Sequence, residues 1–64
     1  MQPIIHSPMT NDKLDEYIIL GNEAIEKGSI DESESWYRKG LQKARELNNR
    51  EKIKELSLLL YTLF

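Results

Sequence analysis

The hydrophobic positions of the chain fall into three stretches with helical spacing. In the first, from about Asp12 to Lys27, apolar and small residues recur every three or four positions, as on one face of an amphipathic helix. These residues are Leu14, Tyr17, Ile18, Gly21, Ala24, Ile25 and Gly28. Thr10 or Asn11 can cap the start of this helix. Gly28 is placed to end it, because glycine takes the left-handed conformation of a helix C-terminus without steric cost.

A second helix is predicted to begin with Asp31 as its N-cap. Glu34 follows three residues later, so an acidic version of the capping box is available. The apolar and small residues of this helix are Tyr37, Gly40, Leu41, Ala44 and Leu47. Trp36 lies off that stripe, turned by about 100° from Tyr37. The pair Asn48-Asn49 breaks the pattern and separates this helix from the next one.

The third helix, from about Arg50, has a different character from the other two. Its main stripe consists of Ile53, Leu56, Leu60 and Leu63, while Leu58, Leu59 and Tyr61 lie off the stripe. From Leu56 onward the helix is therefore apolar almost all round, and such a helix is normally buried on every side. Two neighbouring helices in so short a chain cannot easily enclose it.

These patterns predict an all-α, three-helix protein. Residues 11–64 form a single domain, and residues 1–10 form a flexible N-terminal arm because two of the first eight residues are proline. No strand competes with this assignment, since the chain has no Val and the apolar run at 17–20 lies within the first helical stripe.

Small and large residues follow one another at fixed offsets along the first two helices. The positions concerned are Tyr17, Leu20, Gly21 and Ala24, then Gly28 and Ile30, then Ser33, Tyr37, Gly40 and Leu41. This arrangement resembles a tetratricopeptide (TPR) repeat over about 30 residues. The departures are Tyr17 in place of the usual Trp, Ser33 and Gly40 in place of Ala, and the lack of a terminal Pro.

The third helix resembles the first helix of a following repeat, in the spacing of some bacterial peptide-sensing TPR regulators. Leu60 then stands where Leu20 does, although Tyr61 replaces the expected Gly. The resemblance implies a TPR-like antiparallel αα-hairpin followed by a C-terminal apolar helix, about one and a half repeats in all. Because about three repeats are normally needed for stability, this chain is expected to stack on another chain.

The resemblance also implies a groove that binds a peptide. Its peptide-facing residues on the first helix would be Asp15, Ile18, Asn22, Ile25 and Glu26. Asn22 is of particular interest, because an Asn at this position often hydrogen-bonds the backbone or carboxylate of the ligand in the family. A generic three-helix bundle remains the alternative, since small residues are common wherever helices meet.

Composition argues against catalysis and against cofactors. The chain of 64 residues has no Cys and a single His, His6, which lies in the arm without partners for metal binding or proton transfer. No phosphate-binding loop or nucleophile motif occurs. We therefore expect a non-enzymatic protein with no metal and no cofactor.

Location is predicted from the two ends of the sequence. The N-terminus lacks the charged and apolar regions of a secretory signal. The apolar concentration from Leu56 to Phe64 is too short to cross a bilayer. We expect a cytoplasmic protein with no membrane partner.

Charge is divided unevenly along the chain, although the net charge is only −2. From Asp12 to Tyr37 there are eight acidic and two basic residues, whereas from Arg38 to Lys54 there are seven basic and two acidic ones. The basic residues are Arg38, Lys39, Lys43, Arg45, Arg50, Lys52 and Lys54. They could form a basic face for an acidic partner or phosphate.

Internal pairing is the interpretation of this basic cluster that we favour. An antiparallel hairpin brings Lys43 and Arg45 towards three acidic residues of the first helix, Asp12, Asp15 and Glu16. We do not expect nucleic acid among the partners, because the acidic half of the chain would oppose it.

The remaining apolar residues of the third helix predict an interface. We assign Trp36, Leu59, Leu63 and Phe64 to it, because monomers rarely expose a contiguous apolar patch. The occupant is expected to be a second copy in a homo-oligomer, with a dimer favoured, or else a different protein or peptide.

The function expected from these features is that of a small adaptor or regulator that binds and occludes a protein surface. One alternative is an inhibitor that offers its last helix to a larger TPR-type regulator or an enzyme. Others are a nucleic-acid-associated regulator that uses the basic face within 38–54, and a purely structural subunit of an oligomer.

Overall fold

The computed structural model of the chain describes residues 11–64, which form three helices and no strand. Helix α1 spans Asn11–Glu26, α2 spans Ile30–Glu46 and α3 spans Arg50–Thr62. The predicted all-α, three-helix architecture is confirmed, and the predicted limits of α1 lie within one residue of those observed. The predictions for the N-terminal arm, for Thr10 as a cap and for His6 lie outside the described residues.

The turn between α1 and α2 is a Schellman motif built on Gly28. The Ser29 N–H donates to the carbonyl of Ala24 at 2.8 Å, and the Gly28 N–H donates to that of Ile25 at 2.9 Å. Gly28 has φ of +83°, a left-handed conformation that side chains disfavour. The prediction that Gly28 ends α1 is therefore confirmed.

The turn between α2 and α3 repeats this geometry 20 positions later, with Asn48 in place of the glycine. The Asn49 N–H donates to the carbonyl of Ala44 at 2.9 Å, and the Asn48 N–H donates to that of Arg45 at 3.1 Å. Asn48 has φ of +57° and is the one residue other than glycine in 11–64 with a positive φ. Asn tolerates this conformation better than most side chains.

The predicted cap of α2 is wrong, because α2 begins before Asp31. Ser29 is the N-cap, and its side chain makes no capping hydrogen bond. The tight Schellman turn returns the chain to helical geometry already at Ile30, so Asp31 lies in the first turn of α2 and no capping box forms with Glu34. By contrast α3 has a side-chain cap, since Asn49 Oδ1 accepts a hydrogen bond from the Lys52 N–H at 3.1 Å.

All three helices contribute to one small core. Its fully buried hydrophobic residues are Leu14 from α1, Tyr37 and Ala44 from α2, and Leu56 from α3. Half-buried side chains pack against them: Ile18, Leu41, Leu47, Ile53, Leu59, Leu60 and Leu63. Helix α2 is the central element, because it packs extensively against both other helices, whereas α1 and α3 touch each other little.

Two glycines allow the helices to approach α2 closely. A Cβ at Gly21 would lie within 3.0 Å of three atoms of the Tyr37 ring, so the ring packs directly on the α1 backbone. A Cβ at Gly40 would lie 3.0 Å from Tyr17 Cβ and 3.2 Å from Leu56 Cδ2. Gly40 therefore faces α1 and α3 at once, and a larger residue there would push both helices away.

Within residues 11–64, no helix is long and apolar enough to cross a lipid bilayer.

Ser33, which is fully buried in α2, has a hydroxyl without a hydrogen-bond partner.

Candidate interaction surface

The outer side of α3 carries the most exposed large hydrophobic residues of the described chain. Leu58 is 62% exposed, Tyr61 79% and Phe64 81%. They follow one another at intervals of three residues, which places them on one side of the helix and its C-terminal extension. Arg50 and Lys54 precede them on the same side and are also exposed. We call Leu58, Tyr61 and Phe64 the α3 patch.

The α3 patch differs from the predicted interface residues. Leu59 and Leu63 are half-buried and pack against the core, so of the predicted α3 residues only Phe64 is exposed. The reason is that buried Leu56 fixes which side of α3 faces the core. Leu59 and Leu63, three and seven positions after Leu56, lie on that same side of the helix. Leu58 and Tyr61, two and five positions after Leu56, lie on the opposite side and face away from the core.

Trp36, another of the predicted interface residues, lies in the contact between α1 and α2. Its ring is half-buried, and its centroid lies 6.2 Å from that of Tyr17 with the two planes tilted by 35°. Lys39 Nζ lies 4.9 Å from the centroid of the Trp36 ring, in a cation–π contact. Trp36 therefore has partners within the chain on two sides.

Asp15, the first of the predicted groove residues, is bonded to α3. Its Oδ1 lies 2.7 Å from Lys52 Nζ, and Lys52 also reaches Glu55 Oε1 at 3.2 Å. The hydrogen bond to Asp15, followed by that to Glu55, raises the pKa of the Lys52 ammonium above its ordinary value of 10.5. This pair connects α1 and α3, which otherwise have few contacts.

The other groove residues lie in different environments. Asn22 Oδ1 accepts a hydrogen bond from the buried Tyr37 hydroxyl, so the residue of greatest interest for ligand binding is engaged inside the chain. Ile18 is half-buried against the core, while Ile25 and Glu26 are exposed.

Several of the predicted basic-face residues are paired along their own helices. Arg38 bonds Glu34 at 2.8 Å, and Lys43 lies 3.8 Å from Glu46. The predicted pairing of Lys43 and Arg45 with α1 is wrong for the described side chains, because Lys52 rather than these residues reaches Asp15. The side chain of Asp12 lies outside what the structure describes.

The basic residues do not share one face. On α2, Arg38 and Arg45 are seven positions apart and project to one side, whereas Lys39 and Lys43 project to another. Arg45, Arg50 and Lys54 are exposed and form no ion pair with any described residue. Of the five exposed cations without an ion pair to a described residue, these three lie near the turn between α2 and α3, whereas Lys27 and Lys39 lie elsewhere.

The acidic side chains that the structure describes show no arrangement suited to a metal ion. Among residues 11–64, no three His, Cys, Asp or Glu residues lie together closely enough to bind one.

In comparisons with known proteins, no family model, no curated protein and no solved structure matches the chain.

Proposed function

We propose that the chain is a non-enzymatic protein–protein interaction module, a small adaptor or regulator that binds a partner through the α3 patch and covers part of its surface. The observation that carries this proposal is the exposure of Leu58, Tyr61 and Phe64 on one side of a helix. Soluble monomers rarely leave large apolar side chains grouped in this way, and aromatic residues are enriched at the centres of interfaces.

The contacts inside the chain favour the α3 patch over the α1 groove. Asp15 is held by Lys52 and Asn22 by Tyr37, so a peptide that used either residue would have to replace an existing bond. The α3 patch has no such internal partner to displace. The resemblance of the first two helices to a TPR hairpin supports a protein-binding role in general.

The distribution of basic residues favours a protein over a nucleic acid. Arg38, Lys43 and Lys52 are neutralised by neighbouring carboxylates, and the remaining cations do not follow one continuous face. Phosphate backbones are bound by extended groups of unpaired Lys and Arg residues. A nucleic-acid-associated role thus gains no support from the arrangement.

Site-specific photo-crosslinking in cells that produce the full chain tests the proposal. A benzophenone amino acid replaces Tyr61 in the α3 patch, and in a matched control it replaces Gln42, an exposed residue of α2. Illumination is expected to give adducts from position 61 and few from position 42. Adducts at neither position, or equally abundant adducts at both, would contradict the proposal.

A second variant checks that the adducts depend on the patch. Leu58→Ser combined with Phe64→Ser removes two of its apolar side chains and leaves position 61 available for the crosslinker. Because both residues are exposed, the helix content measured by circular dichroism should change little. The yield of adducts from position 61 is expected to fall several-fold.

A further inference from the structure

We infer that the occupant of the α3 patch is a second copy of this chain, with the two α3 helices packed antiparallel. This inference rests on the proposed function only for the assignment of the α3 patch as an interface. The identity and orientation of the occupant come from a separate observation, the segregation of unpaired charge to opposite ends of the molecule.

One end of the molecule is acidic. Around the turn between α1 and α2, the exposed acids Glu23, Glu26, Asp31 and Glu32 form no ion pair with any described residue. Lys27 is the base at this end, so a net negative charge remains. We call this end the acidic end.

The opposite end, which we call the basic end, carries most of the unpaired positive charge. Arg45, Arg50 and Lys54, three of the five exposed cations that form no ion pair with any described residue, lie around the turn between α2 and α3, with Glu51 as the opposing acid. The other two are Lys27 at the acidic end and Lys39, which contacts the Trp36 ring. This basic end is separated from the acidic end by the 17 residues of α2, which correspond to roughly 25 Å at the rise of an α-helix.

Helix α3 runs from the basic end to the acidic end. Its N-terminal part carries Arg50, Glu51 and Lys54 on the outer side, with a net positive charge, and the α3 patch follows towards its C-terminus. Because α3 is antiparallel to α2 and packs against it at Gly40 and Leu56, its last residues lie level with the start of α2. The outer side of α3 thus changes from basic to apolar along its length and ends beside acidic residues of α2.

An antiparallel pair of α3 helices brings the two α3 patches together and also places the basic end of each copy near the acidic end of the other. With Tyr61 near the two-fold axis, Leu58 of one copy faces Phe64 of the other. Lys54 then extends beyond the other α3 helix to the level of Asp31 and Glu32 in the second copy. A parallel pair would instead set basic end against basic end, and the like charges would repel each other.

The apolar area of the α3 patch is small for a stable dimer, so the charged ends must contribute to the interface as well. Large aromatic side chains bury on the order of 150–250 Å² each, so the four aromatic side chains of the two patches together supply roughly 600–1,000 Å². Specific interfaces usually bury about 1,200–2,000 Å² in total. The apolar contact alone is therefore small, and complementary charges at both ends would enlarge it and select the orientation.

Charge reversal with the full chain tests the inference by light scattering at a series of concentrations. Arg50→Glu with Lys54→Glu reverses charge at the basic end, and Asp31→Lys with Glu32→Lys reverses it at the acidic end. Each double variant alone is expected to weaken dimerisation at least tenfold. An equimolar mixture should restore dimers, because both end contacts are then complementary again.

Two controls accompany this test. Lys27→Glu is expected to leave dimerisation unweakened, since it adds negative charge at the acidic end. Added salt should weaken the wild-type dimer, because it screens attraction between the ends. Circular dichroism of each variant confirms that the helices are retained.

The outcomes separate this inference from the proposed function. A wild-type chain that stays monomeric at all concentrations, a mixture that fails to dimerise, or a dimer that salt strengthens would overturn the antiparallel pair. If adducts still form from position 61 but join the chain to a different protein, the interface assignment stands and self-association fails. Without any adduct from that position, the proposed function fails.

Discussion

Tyr37 is the side chain on which the contact between α1 and α2 depends. Its ring is fully buried and lies against the backbone of Gly21, and its hydroxyl donates a hydrogen bond to the neighbouring Asn22. A buried tyrosine needs such a partner for its hydroxyl, and here the partner comes from the residue adjacent to the glycine that accommodates the ring. Gly21 and Asn22 thus act together as the α1 half of a single contact.

Replacing Gly21 with alanine is expected to destabilise the chain by about 1–3 kcal/mol. The added methyl group would overlap the Tyr37 ring, and this overpacking outweighs the gain of up to about 1 kcal/mol from better helix propensity. Urea denaturation followed by circular dichroism measures the change. Glu23→Ala, at an exposed position of α1, serves as the control and should be close to neutral. Equal stability of the two variants would contradict the packing described.

Replacing Ser33 with alanine is expected to stabilise the chain by about 0.5–2 kcal/mol. The Ser33 hydroxyl is buried without a hydrogen-bond partner, so removing it relieves a desolvation penalty as well as improving helix propensity. Ser35→Ala is the matched control, because Ser35 lies on the exposed side of the same helix and should show the propensity gain alone. The midpoint of urea denaturation should rise more for Ser33→Ala; an equal rise would mean that the hydroxyl has a partner.

At the scale of the helices, the Asp15–Lys52 pair is the contact that ties α3 to α1. The Lys52 side chain is 24% exposed and that of Asp15 57%, so water screens the pair and its contribution should not exceed about 1 kcal/mol. The pair matters because of its position, since it joins the N-terminal parts of two helices that are otherwise connected mainly through α2.

This pair predicts a loss of stability at alkaline pH. The pKa of Lys52 is raised in the folded chain, so its contribution is present in full below 10.5 and disappears as the pH rises through the raised value. Urea denaturation of wild type and Lys52→Met across this range measures the difference. Wild type should be more stable below 10.5, with the two converging above it. A difference that did not change with pH would exclude the ion pair as its source.

The elements show which parts of the fold could be read from the sequence. The end of α1 was predictable, because at Gly28 the residue type and the required conformation coincide. The start of α2 was not, since the preference of Asp31 for an N-cap is local and the turn at Gly28 overrides it. The exposed side of α3 was only partly predictable. Helical spacing shows that Leu58 and Leu59 lie on different sides of α3, but the sequence does not show that Leu56 and Leu59 are on the side that packs against α2.

At the scale of the whole molecule, the division of charge was visible in the sequence, but its pairing was not. The numbers of acids and bases in each half predict attraction between α1 and the basic residues that follow. Which base reaches α1 depends on where α3 lies, and the choice of Lys52 over Lys43 follows from that placement. The acidic and basic ends likewise can be recognised only when the ion pairs within the chain are known, because the ends are defined by the charged side chains that these pairs leave over.

The central position of α2 has a consequence for how the chain folds. Each helix packs mainly against the one next to it in sequence, so most contacts close short loops and the loss of chain entropy before each contact is small. Helical proteins with such local contacts fold in microseconds to milliseconds. We expect the α1–α2 hairpin to be the nucleus, because Tyr37 and Gly21 meet within it, and α3 to dock afterwards and detach first.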